Sequence, residues 1–207
     1  KEEGKRADKV EPYDDFSRRM AEFYAEYDRQ CQREGVVDFA ELLLRSYELL
    51  ARNEGLREHY VSRFRHILVD EFQDTNRLQY RWLQLLAGRH NAIFAVGDDD
   101  QSIYGWRGAS TANMQDLQRD FHVEKVIKLE QNYRSHGNIL DAANALIAHN
   151  RRRLGKNLWT ADAKGEPLRV YEAATDFAEA SYVVDEVRAL RGEGARLADI
   201  AVLYRSN

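Results

Sequence analysis

The chain holds one cysteine, two prolines and no apolar run approaching the roughly 20 residues that cross a bilayer. Each scarcity excludes something. Cys31 cannot close an internal disulfide, so the fold stands without covalent staples and a reducing, cytoplasmic setting is expected. Its place on the apolar stripe of a helix predicts a buried, structural thiol. With no membrane-length segment and no signal-peptide pattern, no membrane partner is expected. Only Pro12 and Pro167 can break a helix by ring geometry, which favours long helices. A large charge of one sign is missing too: 31 Lys and Arg against 35 Asp and Glu leave −4. That argues against coating nucleic acid by charge alone, yet permits a local basic groove. There is no internal repeat and no low-complexity stretch.

What is present is apolar material, 43% of residues with 11% aromatic, enough to pack one large domain or two small ones. Residues 1–12 are charged and aperiodic and read as a frayed or cut terminus. From Asp15 to Arg33, apolar residues recur at three- and four-residue steps, one helical face stopped by Gly35. Asp38 followed by Glu41 resembles a capping box opening a helix through Ala51. A short helix over Leu56–Phe64 leads into His66–Asp70, an apolar run that reads as a buried parallel strand.

Helix and strand then alternate: helix 77–87, strand 92–97, helix 111–121, strand 125–129. Ser135 can cap a helix over 137–150. Residues 151–165 are basic and irregular, a connection. Strand 168–172, helix 177–190 and strand 200–204 resume the rhythm. The expected fold class is α/β, a parallel sheet covered by helices, with a helical N-terminal portion.

Ligands of open α/β sheets gather at the carboxyl ends of strands, and three such ends are polar. After the first come Asp70-Glu71-Phe72-Gln73-Asp74-Thr75-Asn76. One carboxylate can hold Mg²⁺ while its neighbour polarises an attacking water, although an isolated Asp-Glu is more often an ordinary solvated turn. After the second come Gly97-Asp98-Asp99-Asp100-Gln101 and Tyr104-Gly105-Trp106-Arg107-Gly108. A glutamine beside phosphates can sense the terminal one, and two aromatics with a guanidinium suit stacking on unpaired bases, the alternative being core packing of both rings. After the third comes Glu130-Gln131-Asn132-Tyr133-Arg134-Ser135, where an arginine can reach a phosphate or simply lie on the surface.

These three segments, in this order and spacing, resemble consecutive motifs of the UvrD/Rep/PcrA group of superfamily 1 helicases. The resemblance extends to Val37–Leu43, to Arg153–Trp159 with Gly165–Pro167, and to Ala201–Asn207, nearly the whole chain. It implies a RecA-like motor core using ATP and Mg²⁺ to move on single-stranded DNA and duplex junctions, with DNA-repair proteins as partners. Position by position, Asp70 would hold Mg²⁺ and Glu71 would be the catalytic base. Gln101 would contact the γ-phosphate, Tyr133 would stack on adenine, and Arg134 would be an arginine finger. Phe39, Tyr104, Trp106, Arg107, Arg205 and Asn207 would line the DNA track or its coupling network.

No Gly-x-x-x-x-Gly-Lys-[Ser/Thr] occurs, so the phosphate cradle of the family is missing. The chain is therefore expected to be an incomplete motor core. Residues 1–36 would end a first accessory domain, 37–122 would be the second half of one motor domain, and 123–207 the start of another. Two other readings stand beside this one: a non-hydrolytic nucleic-acid-binding or regulatory module of the same fold, and a subunit of a helicase-nuclease.

Overall fold

The computed structural model describes residues 1–88, 91–151 and 153–204. The chain divides into two units, Lys1–Glu130 with Ala145–Asn157, and Gln131–Asn144 with Leu158–Asn207.

The first unit begins with three helices. Helix α1 (Asp15–Glu34) starts at Asp14, whose side chain and that of Ser17 cap each other's backbone amides, and stops at Gly35 in the left-handed region, φ 66°. Its apolar stripe is not a core face. Phe16, Met20, Phe23 and Tyr27 are exposed, no residue of α1 is buried, and Cys31 is half-buried, so the buried thiol expected there is not found. Helix α2 (Phe39–Arg52) is capped by Asp38, which accepts from the Glu41 amide at 2.6 Å. The reciprocal half of the expected capping box is absent because Glu41 is drawn elsewhere. Its buried carboxylate takes Arg6 at 2.7 Å, Arg45 at 2.6 Å and Lys1 at 3.3 Å. Arg6 also grips Glu48, and Lys1 reaches Asp28 and Asp38. Residues 1–9 are thus pinned by charge rather than frayed, and a scan for hydrophobic period is blind to such anchoring. Helix α3 (Glu54–Arg63) is capped by Asn53.

Strand β1 (His66–Val69) pairs in parallel with β2 (Ala92–Ala95), Ile67 opposite Ile93 and Val69 opposite Ala95. Between them runs α4 (Arg77–Ala87), opened by a capping box of Asn76 and Gln79. Helix α5 (Ala112–Asp120) follows β2. Ile67, Val69, Ile93 and Ala95 pack against Phe72, Tyr80, Leu83 and Leu117, the core of the unit. The alternate positions, Leu68 and Phe94, are exposed. Both strands are therefore half-buried rather than buried, because helices cover one face only among the described residues. Behind α4 lies a second layer: α2 and α3 pack on it, burying Leu44 and Leu50 of α2.

The second unit contains most of α6 (Gly137–Ile147) and all of α7 (Asp176–Gly192). Leu140 is buried, and Tyr171 stacks on Tyr182 with ring centroids 3.9 Å apart. Of the three strands expected beyond residue 122, none has a ladder. Residues 125–129, 168–172 and 200–204 carry no strand, and Ile127, Leu129, Val170 and Leu203 are exposed. A strand exists through a hydrogen-bonded neighbour, and these segments have none among the described residues. Among the described residues the one pairing beyond residue 122 is an isolated parallel bridge of Gln131 with Trp159.

Candidate active site and nucleic-acid surface

Asp70 ends β1. Its carboxylate is exposed and accepts the Glu71 amide at 2.9 Å, with no other hydrogen bond or ion pair among the described residues. An exposed, otherwise unengaged oxygen donor fits a hard divalent cation. Glu71 follows in left-handed backbone, φ 49° and ψ 44°. For a residue with a Cβ this conformation costs about 1–2 kcal/mol, and such strain gathers at functional sites. One Glu71 oxygen accepts from the Gln73 side-chain amide at 2.7 Å. Phe72 and Gln73, next in the chain, are buried at 1% and 2% exposure.

The loop after β2 is held to the loop after β1. The Phe72 amide donates to the Val96 carbonyl at 2.9 Å, and the Asp98 amide donates to the Gln73 side-chain oxygen at 2.8 Å. Gly97 lies between them. A Cβ there would stand 2.8 Å from the Gln73 oxygen and 3.2 Å from the Phe72 and Gln73 amides, so the close approach of the two loops requires glycine.

Three adjacent acids then find three different partners. Asp98 pairs with Lys156 and accepts from Gln101 at 2.6 Å. Burial alone would raise its carboxyl, but the Lys156 ammonium and the Gln101 amide outweigh that and hold it below the usual carboxylate range. Asp99 accepts the Leu154 amide at 2.6 Å, and Asp100 takes the Arg153 guanidinium in two bonds at 2.9 and 2.5 Å. The three carboxylates approach within 4.8 Å of one another, yet their oxygens serve cations and amides of this same chain. Arg153, Leu154 and Lys156, in a stretch expected to be a plain connection, thus clasp the loop that carries Gln101. Arg153 and Lys156 drew no role from sequence, since a basic stretch announces charge but not its target.

Gln101 itself is exposed. Just beyond it, Trp106 is 74% exposed, which removes it from the core. The Arg107 guanidinium lies 4.4 Å from the Trp106 ring centroid and 5.3 Å from that of Tyr104, and the two rings sit 6.2 Å apart. The open face of Trp106, with half-buried Tyr104 beside it and a cation against both rings, can receive an unpaired base. Phe39, the first residue of α2, is 90% exposed, and no ring contact joins it to Tyr104 or Trp106 among the described residues.

Tyr133 and Arg134 belong to the second unit and are exposed. They ride a tight turn in which the Asn132 side chain accepts the amides of Arg134 and Ser135 at 2.9 and 2.8 Å. Asn132 closes this turn, and among the described residues the Ser135 side chain, expected to cap α6, accepts no helix amide. Beyond the turn, Gly137 and Asn138 donate to the carbonyls of Ala163 and Lys164. Gly165 closes that contact at φ 74°, where a Cβ would meet His136 at 2.7 Å. Arg205 and Asn207, expected near DNA, lie outside the described residues.

Two family models match the chain. Residues 1–122 match the UvrD/REP helicase N-terminal domain and residues 127–207 the UvrD-like helicase C-terminal domain. The chain is 50% identical over its whole length to DNA helicase II of Haemophilus influenzae and, equally, to DNA helicase II of Escherichia coli. It is 44% identical over 95% of its length to the ATP-dependent DNA helicase PcrA of Staphylococcus epidermidis. It spans 28%, 29% and 27% of those three relatives. No helix among the described residues is long and apolar enough to cross a membrane.

Proposed function

The chain belongs to the UvrD/REP helicase family, and from that premise we propose that it forms part of the motor core of an ATP-dependent, 3′-to-5′ DNA helicase that moves on single-stranded DNA in repair. The observation that carries the reading is Glu71, held in strained backbone at the end of β1 beside the open carboxylate of Asp70. In this reading residues 1–36 complete an accessory domain, 37–122 belong to the first motor domain and 123–207 to the second.

Asp70 would hold Mg²⁺, which when bound neutralises phosphate charge. Glu71 orients and deprotonates the attacking water, the task of a carboxylate with one oxygen fixed and the other unengaged. Gln101 contacts the γ-phosphate, and the loop it shares with Tyr104 and Trp106 links that contact to DNA. Tyr133 stacks on the adenine, and Arg134 neutralises charge on the transferring phosphoryl group. Phe39, Arg107, Arg205 and Asn207 contribute to the DNA track. Because no Gly-x-x-x-x-Gly-Lys-[Ser/Thr] cradle occurs in these 207 residues, the segment alone should show no DNA-stimulated ATP turnover.

The test is Glu71→Gln in the full-length helicase. The change keeps the shape and removes the base, so single-turnover hydrolysis should fall by about 10²–10⁴-fold with ATP still bound. Near-normal turnover in that variant would overturn the role of Glu71 as the base.

A further inference from the structure

Gln73 lies in the loop that carries the acids, yet it is neither acid nor base and it is buried at 2% exposure. Its side chain is spent on two contacts of opposite polarity. The Nε2 donates to a Glu71 carboxylate oxygen at 2.7 Å, and Oε1 accepts the Asp98 backbone amide at 2.8 Å. The chemistry of the partners fixes the amide's orientation, since a carboxylate can only accept and a backbone N–H can only donate. Among side chains of this length only glutamine offers a donor and an acceptor on one planar, uncharged head. Glutamate would set a second carboxylate against Glu71, and methionine would fill the space and bond to neither.

The neighbours are built around this head. Gly97 is the residue whose Cβ would strike Oε1 at 2.8 Å, so the loop after β2 has given up a side chain to let the amide through. The Ser102 hydroxyl donates to the Gln73 carbonyl at 3.4 Å, a weak second tie from the same loop. Glu71 needs such a holder. Its backbone is left-handed and its side chain is exposed, so without Gln73 the carboxylate would sample several rotamers. On the far side, the Asp98 amide opens the turn that carries Asp99, Asp100 and Gln101.

We infer that Gln73 is a positioning residue for ATP hydrolysis: its amide fixes the Glu71 carboxylate and registers the Gln101 loop against it. The inference rests on the reading of Glu71 as the catalytic base. Gln73 touches no reacting atom; it sets where the base points and ties that setting to the loop that senses the terminal phosphate.

The experiment is a double-mutant cycle in the full-length helicase. It uses single-turnover ATP hydrolysis, equilibrium binding of a fluorescent ATP analogue, and thermal melting. Gln73→Met keeps the volume and removes both bonds; Gln73→Glu keeps the acceptor for Asp98 and replaces the donor facing Glu71. Each should slow hydrolysis by about 10–100-fold, the cost of a misplaced group. Nucleotide affinity should stay within about twofold, which marks a loss confined to the transition state.

In the Glu71→Gln background, adding Gln73→Met should slow hydrolysis no further, because a residue acting through Glu71 has nothing left to position. Full additivity there, or an affinity loss as large as the rate loss, would overturn the inference. If Gln73→Glu fails to fold, Gln73→Met decides alone, and hydrolysis within about twofold of wild type in that variant refutes the role. Failure of the underlying reading looks different: Glu71→Gln by itself would then turn over ATP normally.

Discussion

The two units of this chain are written in the same sequence language and have different interiors. In the first, β1 and β2 find each other, Ile67 and Ile93 face the helices, and Phe72, Tyr80, Leu83 and Leu117 close a core. In the second, Leu140 is the one buried hydrophobic side chain among the described residues. Segments as apolar as β1, such as 201–204, lie open. The contrast separates two conditions that a sequence reading merges. Apolar, β-branched residues make a segment competent to be a strand; a hydrogen-bonded neighbour makes it one.

The sharpest way to break this comparison is to remove a core side chain from the first unit. Phe72→Ala should destabilise the chain by about 3–5 kcal/mol in chemical unfolding, the usual loss for a buried aromatic. It should also free the loop that carries Gln73. A loss below about 1 kcal/mol would mean that the unit's core is not cooperative, and the contrast would lose its basis.

Next in size is the charge cluster that anchors residues 1–9. Burial pushes the Glu41 carboxyl up, but Arg6, Arg45 and Lys1 together hold it below its ordinary value of 4.5. Asp38 and Glu48 are depressed as well by the same two cations, Lys1 and Arg6 respectively. A carboxyl depressed on folding contributes stability that is fully present above its unfolded value and drains away as pH falls through the folded one. The melting temperature should therefore drop as pH is lowered from about 6 to about 3, and Glu41→Gln should melt lower at neutral pH and flatten that dependence. An equally steep acid limb in the variant would assign the effect to other carboxylates.

Much of this architecture was legible beforehand. Helix α4 was expected over 77–87 and forms there, and α1 ends at the glycine that sequence marks. Both facts are local, set by caps and period. What was not legible depended on partners distant in sequence. Glu41 looked like a cap and became the hub of a buried ion cluster with Lys1 and Arg6, 40 and 35 positions away. Arg153 and Lys156 looked like a linker and clasp Asp100 and Asp98. Gln73 was visible as a letter in a motif, but its role lies in being buried between two loops, and burial of a polar residue is not written in its neighbours. Trp106 shows the opposite case: two readings, core or surface, were open, and exposure decides between them.

That exposure leads to a smaller expected effect. Trp106→Ala in the full-length helicase should weaken single-stranded DNA binding by about 1–3 kcal/mol, the scale of one lost base stack. Basal ATP turnover should change little, and DNA stimulation of it should fall. The ring's contacts with Arg107, worth about 0.5–1 kcal/mol at an exposed site, and with Tyr104 are the packing at risk. A variant that melts early and loses basal turnover would return Trp106 to a structural role.

The smallest effect sharpens the comparison most, because its size should depend on context. Val170 is 95% exposed and lies in 168–172, a segment with strand composition and no ladder. Val170→Thr preserves shape and β-branching and exchanges a methyl for a hydroxyl. In this 207-residue chain the hydroxyl remains in water, so unfolding free energy should move by no more than about 0.5 kcal/mol. In the full-length helicase, where the proposed second motor domain would give the segment sheet neighbours, the same hydroxyl would be buried without a partner, at about 1–3 kcal/mol. A neutral result in the chain with a penalty in the full-length protein would make the openness of the second unit a matter of missing neighbours. Equal, negligible changes in both would show that 168–172 stays exposed wherever it is placed, and the assignment of residues 123–207 to a sheet-bearing motor domain would fall.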